Sequence, residues 1–180
     1  DPVRTTVDSV GSFYEASATS ELRSALVSRA CVLVEGATEA LALPALLRKQ
    51  GFDTLRHGIA FVSAEGIGNI AKWARLFLAL GIPAYCIFDT DSNKSGADAQ
   101  SLLVKRRDLL SAIEVDASQA ESTAMHTEPI WVGPKYATME PNFEQAMSAV
   151  LGTSWDSVYA DSAEIVGEQS KPLRARFAAT

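Results

Sequence analysis

Cysteine is scarce in this sequence: Cys31 and Cys86 are the only two in 180 residues. Both fall inside apolar, strand-like runs with no partner at metal-ligand spacing, which points to buried free thiols rather than a disulfide or a thiolate metal site. That usage suits a reducing cytoplasm. Long hydrophobic runs are also missing. The stretch LFLALGIPAYCIF is broken by Gly81 and Pro83 and falls short of the roughly 18 to 20 apolar residues of a membrane span, so no membrane partner is expected. Positive charge is in short supply, with 16 Lys and Arg against 22 Asp and Glu and a net charge of −6. This balance argues against a passive nucleic-acid coat, although an acidic protein still acts on phosphates where metal ions bring the positive charge. The basic residues that exist cluster in KRR (Lys105 to Arg107) and KPLRAR (Lys171 to Arg176), which read first as solvated helix faces. No internal repeat, low-complexity tract or clear linker is evident. The opening DPVRTTVDSVGS has neither a basic start nor a signal-like apolar run. Because it begins at Asp1, we expect a longer protein in which residues 1–29 lead in from an upstream region.

What is present is ample apolar material, 47% of the chain, enough for one packed domain. Helix and strand signals alternate. SELRSALVSRA has helical spacing, CVLV reads as a buried strand, and TEALALPALLRKQ as a helix closed by Gly51, with Pro44 marking a kink or an irregular first turn. GIAFVSA is a second strand, NIAKWARLFLALG a helix, and PAYCIFD a third strand. This βαβαβ order with continuous apolar strands predicts a Rossmann-like parallel sheet flanked by helices. After the turn DTDSNKSGAD, a helix is expected over AQSLLVKRRDLLSAIE. Farther on, EPIWVGPKYATM holds one or two short strands, and PNFEQAMSAVLG, SWDSVYADSAEIVG and KPLRARFAA form a smaller helical C-terminal appendage. We therefore divide the domain, residues 30–180, into a core at 30–115 and C-terminal helical additions.

Sites in open parallel sheets form beyond the carboxyl ends of the strands. Here those ends carry acid. Glu35 ends the first strand, Glu39 lies in the first turn of the next helix, and Asp89 and Asp91 follow the third strand. Four carboxylates at one edge repel one another and raise at least one pKa. A hard divalent cation, Mg²⁺ or Mn²⁺, removes the conflict. The two-residue spacing of Asp89 and Asp91 predicts side chains on one face of an extended strand. Gly36 lets the backbone turn after Glu35. Ser63 and Glu65 reach the same edge from SAEGIGN, where Gly66 and Gly68 allow a close backbone or phosphate approach. Singly, Glu39 is an ordinary acid at a helix start and Asp89 or Asp91 an ordinary turn former. The site reading rests on the combination.

That combination, VEG at Glu35 and DTD at Asp89 and Asp91, resembles the Toprim domain of topoisomerases, bacterial primases, recombination mediators and nucleases, over roughly residues 30 to 115. LVEGATEALALPALL with its second acid, GIGN, and LGIPAYCIFDTD are most similar to the OLD (overcoming lysogenization defect) family nucleases. The resemblance implies a metal-dependent endonuclease that cuts DNA with two ions about 4 Å apart. It implies Glu35, Glu39, Asp89 and Asp91 as ligands, Lys171 of EQSKPLRARFA as the catalytic lysine, and Glu144 or Glu140 of MEPNFEQ as further acids. It also implies an upstream ATPase region, through which oligomers can form. A topoisomerase would need a tyrosine nucleophile, and Tyr14, Tyr85, Tyr136 and Tyr159 carry no supporting motif. The same acids are open to reading as a primase site, as a receiver-like domain phosphorylated at Asp89, or as a non-catalytic domain that binds metal and nucleic acid.

Overall fold

The computed structural model describes residues 20–123 and 126–180; most of the expected lead-in, residues 1–19 with Tyr14, lies outside them. A short helix α1 (Ser20–Ala25) precedes strand β1 (Ala30–Val34), helix α2 (Ala37–Lys49), strand β2 (Ile59–Ser63), helix α3 (Ile67–Ala79) and strand β3 (Ala84–Asp89). Helices α4 (Gly96–Ala112) and α5 (Gln119–Thr123) follow, then strands β4 (Ile130–Val132) and β5 (Tyr136–Met139). Helices α6 (Phe143–Leu151), α7 (Thr153–Val166) and α8 (Lys171–Ala179) complete the chain.

Among the described residues five strands form one sheet in the order β2-β1-β3-β5-β4. β1 is parallel to β2 and β3, β5 is parallel to β3, and only the edge strand β4 runs antiparallel. The βαβαβ reading therefore holds. The sheet also reaches past residue 115, because Cys86 to Asp89 pair with Tyr136 to Met139.

Each face of the sheet has its own core. Cys31, Leu33, Val62, Cys86 and Phe88 alternate along their strands and pack beneath α3 and α4. α3 answers with Ile67, Ile70, Ala71, Ala74 and Phe77, one stripe at helical spacing, while Lys72 and Arg75 stay exposed. On the other face Met139, with Ile87 and Ile130, meets Ala42 of α2 and a C-terminal set of Phe143, Met147, Trp155, Ala175 and Ala179. Trp155 anchors that set, edge-on to Phe143 at 6.0 Å and stacked on Tyr159 at 5.8 Å. The helical appendage thus closes onto α2, which begins beside the carboxylates. α2 runs through Pro44 and ends where Gly51, at φ +85°, allows Gly51 N–H to donate to Arg48 O and Phe52 N–H to Leu47 O. Both cysteines are free and buried, and burial pushes the Cys31 thiol up to about 12 and raises Cys86 too.

Candidate functional site

β1 connects to β2 on one side and β3 connects to β4 and β5 on the other, so the chain leaves the carboxyl ends of β1 and β3 in opposite directions and opens a crevice between them. Glu35 and Asp89 stand at that crevice. Asp89 N–H donates to Glu35 Oε2 at 3.4 Å. Burial raises the Glu35 carboxyl, the Asp89 amide pulls it down, and Asp91 raises it again. Glu39 is only 6% exposed, and its Oε2 accepts from Gly36 N–H at 3.1 Å. Burial, then Glu35 and Glu144, hold its pKa above the usual carboxylate range.

Asp89 is the extreme member. Its Oδ1 is buried without a hydrogen-bond partner. Burial, then the neighbouring charges of Glu39, Glu35, Asp91 and Glu144, push its pKa up to about 9. That keeps its carboxyl protonated at neutral pH.

Gly36 and Asp91 depart from the sequence reading. Gly36 is extended, φ −135°, so it makes no turn that needs glycine; the constraint is space, since a Cβ there would lie 3.1 Å from Glu39 Oε2. Asp91 is not on the extended strand. It sits at φ +49°, a left-handed conformation that Asp tolerates better than most residues, and its N–H donates to Pro141 O at 2.8 Å. Asp89 and Asp91 therefore do not share a strand face. Asp91 instead pairs with Lys94 at 2.7 Å and lines a groove of about 470 Å³ with Glu35, Glu65, Gly66 and Gly68. Lys72, Lys94 and Lys105 complete the rim of that groove. Ser63 ends β2 opposite Val34, and Glu65, at φ +57°, reaches the groove as expected.

The C-terminal candidates divide. Glu144, in the first turn of α6, is close enough to raise Glu39 and Asp89, and Lys171 Nζ lies 3.9 Å from Glu144 Oε1 with its side chain 71% exposed. The fold thus brings Lys171 to the margin of the row. Glu140 is engaged elsewhere, accepting from the hydroxyls of Thr90 and Ser92 and tying the Asp-x-Asp loop to the end of β5. The tyrosines among the described residues have partners. The Tyr85 hydroxyl donates to Gly133 O at 2.9 Å, Tyr136 is buried against Phe88 and Trp131, and the Tyr159 ring lies under Arg174.

Sequence reasoning missed Lys94 and Arg106. KRR is a solvated face only at Lys105 and Arg107; Arg106 is 3% exposed. Its place was signalled, since Leu102, Arg106, Leu109 and Leu110 make one helical stripe.

An acid after the first strand and an Asp-x-Asp after the third, at the crevice of a mostly parallel sheet, define the Toprim class of domain. The family model that matches residues 26–91 is the overcoming lysogenization defect protein-like Toprim domain. The match includes Glu35, Glu39, Asp89 and Asp91 and ends before Glu140, Glu144 and Lys171. The fold is similar to the C-terminal region of the OLD protein of Xanthomonas campestris pv. campestris, at TM-score 0.59 and 18% identity over 85% of each chain. It is also similar to that of Burkholderia pseudomallei, at TM-score 0.56 and 17% identity over 84% of this chain and 87% of the other. No curated protein matches the sequence.

Toprim domains are generally metal-dependent, and the donors here fit a hard cation: all are carboxylate oxygens, and Asp89 Oδ1 is buried without a donor. Among the described residues no three acidic, His or Cys side chains already stand at the spacing of one ion's ligands. None of the described helices is long and apolar enough to cross a membrane.

Proposed function

We propose that this domain is a metal-dependent endonuclease that hydrolyses DNA phosphodiesters, with Glu35, Glu39, Asp89 and Asp91 holding Mg²⁺ or Mn²⁺. The buried, unpartnered carboxyl of Asp89, at the centre of a row of acids, carries the proposal. A site that costs this much to charge makes sense when a cation joins it, because an opposite charge reverses the shift. Glu35 and Glu39 would join Asp89 in holding the ion, and Glu144 is near enough to act on Glu39 and Asp89. When bound, a pair of divalent ions supplies an activated water and stabilises the departing oxygen.

This chain's residues do the rest. Asp89 would hold the metal as a carboxylate, its proton released to water. The groove beside Glu35, with Gly66 and Gly68 on its floor and Lys72, Lys94 and Lys105 at its rim, receives the phosphate backbone. Lys171 swings from Glu144 to offset charge growing on the phosphate. The ATPase region implied by the resemblance is the expected partner in a longer chain, and its contribution belongs to this same proposal.

Nicking of supercoiled plasmid by the isolated chain tests it. Cleavage is expected with Mg²⁺ or Mn²⁺ and none in EDTA; undiminished cleavage in chelator overturns the metal mechanism. A covalent protein–DNA adduct would instead favour a topoisomerase.

A further inference from the structure

Helix α4 carries a buried cation, Arg106, two of whose nitrogens have no hydrogen-bond partner, although the charges of Asp91, Glu35 and Glu140 act on it. Arg106 is 3% exposed, and its Nε and Nη2 are buried without a hydrogen-bond partner. A guanidinium does not shed its proton to escape burial, and an unsatisfied charged donor is among the costlier defects in a protein interior. Arg106 lines a cleft of about 240 Å³ with Thr90, Asp91, Ser92, Lys94 and Gln100. That is room for roughly eight waters at about 30 Å³ each.

The acids nearby are already engaged. Asp91 pairs with Lys94 at 2.7 Å, Glu121 pairs with Arg107, and Glu140 accepts from Thr90 and Ser92. Arg106 therefore stands at the wall of a cleft with two donors that no described group accepts from. Asp91, Lys94 and Leu102 line both this cleft and the larger groove at Glu35, so the two are neighbours.

We infer that Arg106 and its cleft form a second phosphate subsite, which takes the backbone phosphate of a polynucleotide next to the one held at the carboxylates. The planar guanidinium fork matches two oxygens of a phosphate. Contact with the strand at a second phosphate fixes its direction across the carboxylate row, so Arg106 is a positioning residue. The inference rests on the nuclease reading for its substrate, but its test does not depend on cleavage.

Binding is measured on the full chain in EDTA, by fluorescence anisotropy with a labelled 12-nucleotide single strand. Arg106→Gln is expected to weaken binding about ten-fold and to lower the salt dependence by the contribution of about one phosphate contact. Arg106→Lys should recover part of the loss. In the wild-type chain, the Arg106 Nε–H resonance should shift when the oligonucleotide is added, a readout that survives even if the variants do not fold. Inorganic phosphate should move that signal only at far higher concentration.

A folded Arg106→Gln chain that binds like wild type overturns the subsite, as does an Nε–H signal that the oligonucleotide leaves in place. Equal potency of inorganic phosphate assigns the cleft to free phosphate and overturns the backbone role. Arg106-dependent binding without metal-dependent plasmid cleavage would instead spare the subsite and remove the nuclease reading.

Discussion

The two flanks of the carboxylate row handle charge differently. On the Asp91 flank, acids have partners within the fold: Asp91 has Lys94, and Glu140 has two hydroxyls. On the Glu39 flank, burial dominates. Glu39 has one backbone donor, Asp89 Oδ1 has none, and Lys171 stands 3.9 Å from Glu144 at the margin. The first flank has partners for its acids, whereas the second leaves a buried carboxylate oxygen without one. In the proposed function the second flank therefore makes the larger demand for a cation: Asp89 and Glu39 would dominate metal affinity, and Asp91 would be a further ligand beside the phosphate chain.

Asp89 gives the largest effect that would overturn this division. Asp89→Asn should abolish cleavage beyond the roughly 10²- to 10³-fold that loss of one transition-state donor costs, and should also stabilise the metal-free protein. The sign follows from linkage. An ordinary aspartate ionises near 3.8, whereas burial and neighbouring acids push folded Asp89 up to about 9. Between those values the folded state binds the extra proton, so metal-free stability is full below about pH 4 and is lost as pH rises toward about 9. Glu35 and Glu39, also raised, act in the same direction. Metal-free melting temperature should therefore fall between pH 5 and pH 8, and Mg²⁺ should restore it. At pH 8 the Asn variant should exceed wild type by about 1 to 3 kcal/mol, since water entering around an ionised carboxylate softens the full penalty. That is roughly 3 to 10 °C. A metal-free Asp89→Asn that melts well below wild type would show that Asp89 has a hydrogen-bonding role in the fold.

Lys171 comes next. If it leaves Glu144 for the scissile phosphate, Lys171→Ala should slow single-turnover cleavage at saturating DNA by about 10²-fold while metal affinity holds. Stability should move by less than about 0.5 kcal/mol, because the side chain is 71% exposed and its ion pair is long. Weaker DNA binding with an unchanged single-turnover rate would return Lys171 to the surface, as part of a basic helix end with Arg176.

The two flanks were also unequally legible in the sequence. Glu35 and Asp89 were readable because each ends an apolar run, and a buried strand that stops at an acid declares its tip. Glu39 followed from helical spacing. Asp91 was found as a residue and misjudged in geometry, since spacing along a strand says nothing once the backbone enters the left-handed region at φ +49°. β5 was hard to weigh because it spans only Tyr136–Met139, and its partner β3 lies some fifty residues earlier. Long-range pairing leaves no local periodicity. Arg106 was hidden by its exposed neighbours in KRR, although the Leu102 to Leu110 stripe carried the signal.

Glu140 should give the smallest effect, and it tests whether the Asp91 flank is scaffold or ligand. Its two oxygens accept from Thr90 and Ser92, and Thr90 is fully buried. Glu140→Gln keeps the shape, but its amide nitrogen can no longer accept, so one hydroxyl loses a charged partner. Such bonds contribute about 1.5 to 3 kcal/mol each, and rotation of the hydroxyl toward another acceptor offsets part of that. We expect a loss of about 1 kcal/mol in thermal or urea unfolding. Cleavage should fall only a few-fold, because the loop still has the Asp91 N–H bond to Pro141 O at 2.8 Å and the Thr90 N–H bond to Met139 O at 2.9 Å. The Mg²⁺ concentration for half-maximal cleavage should not change. If it rises ten-fold or more while stability is unaltered, Glu140 is a metal ligand, and the two flanks share the cation instead of dividing the work.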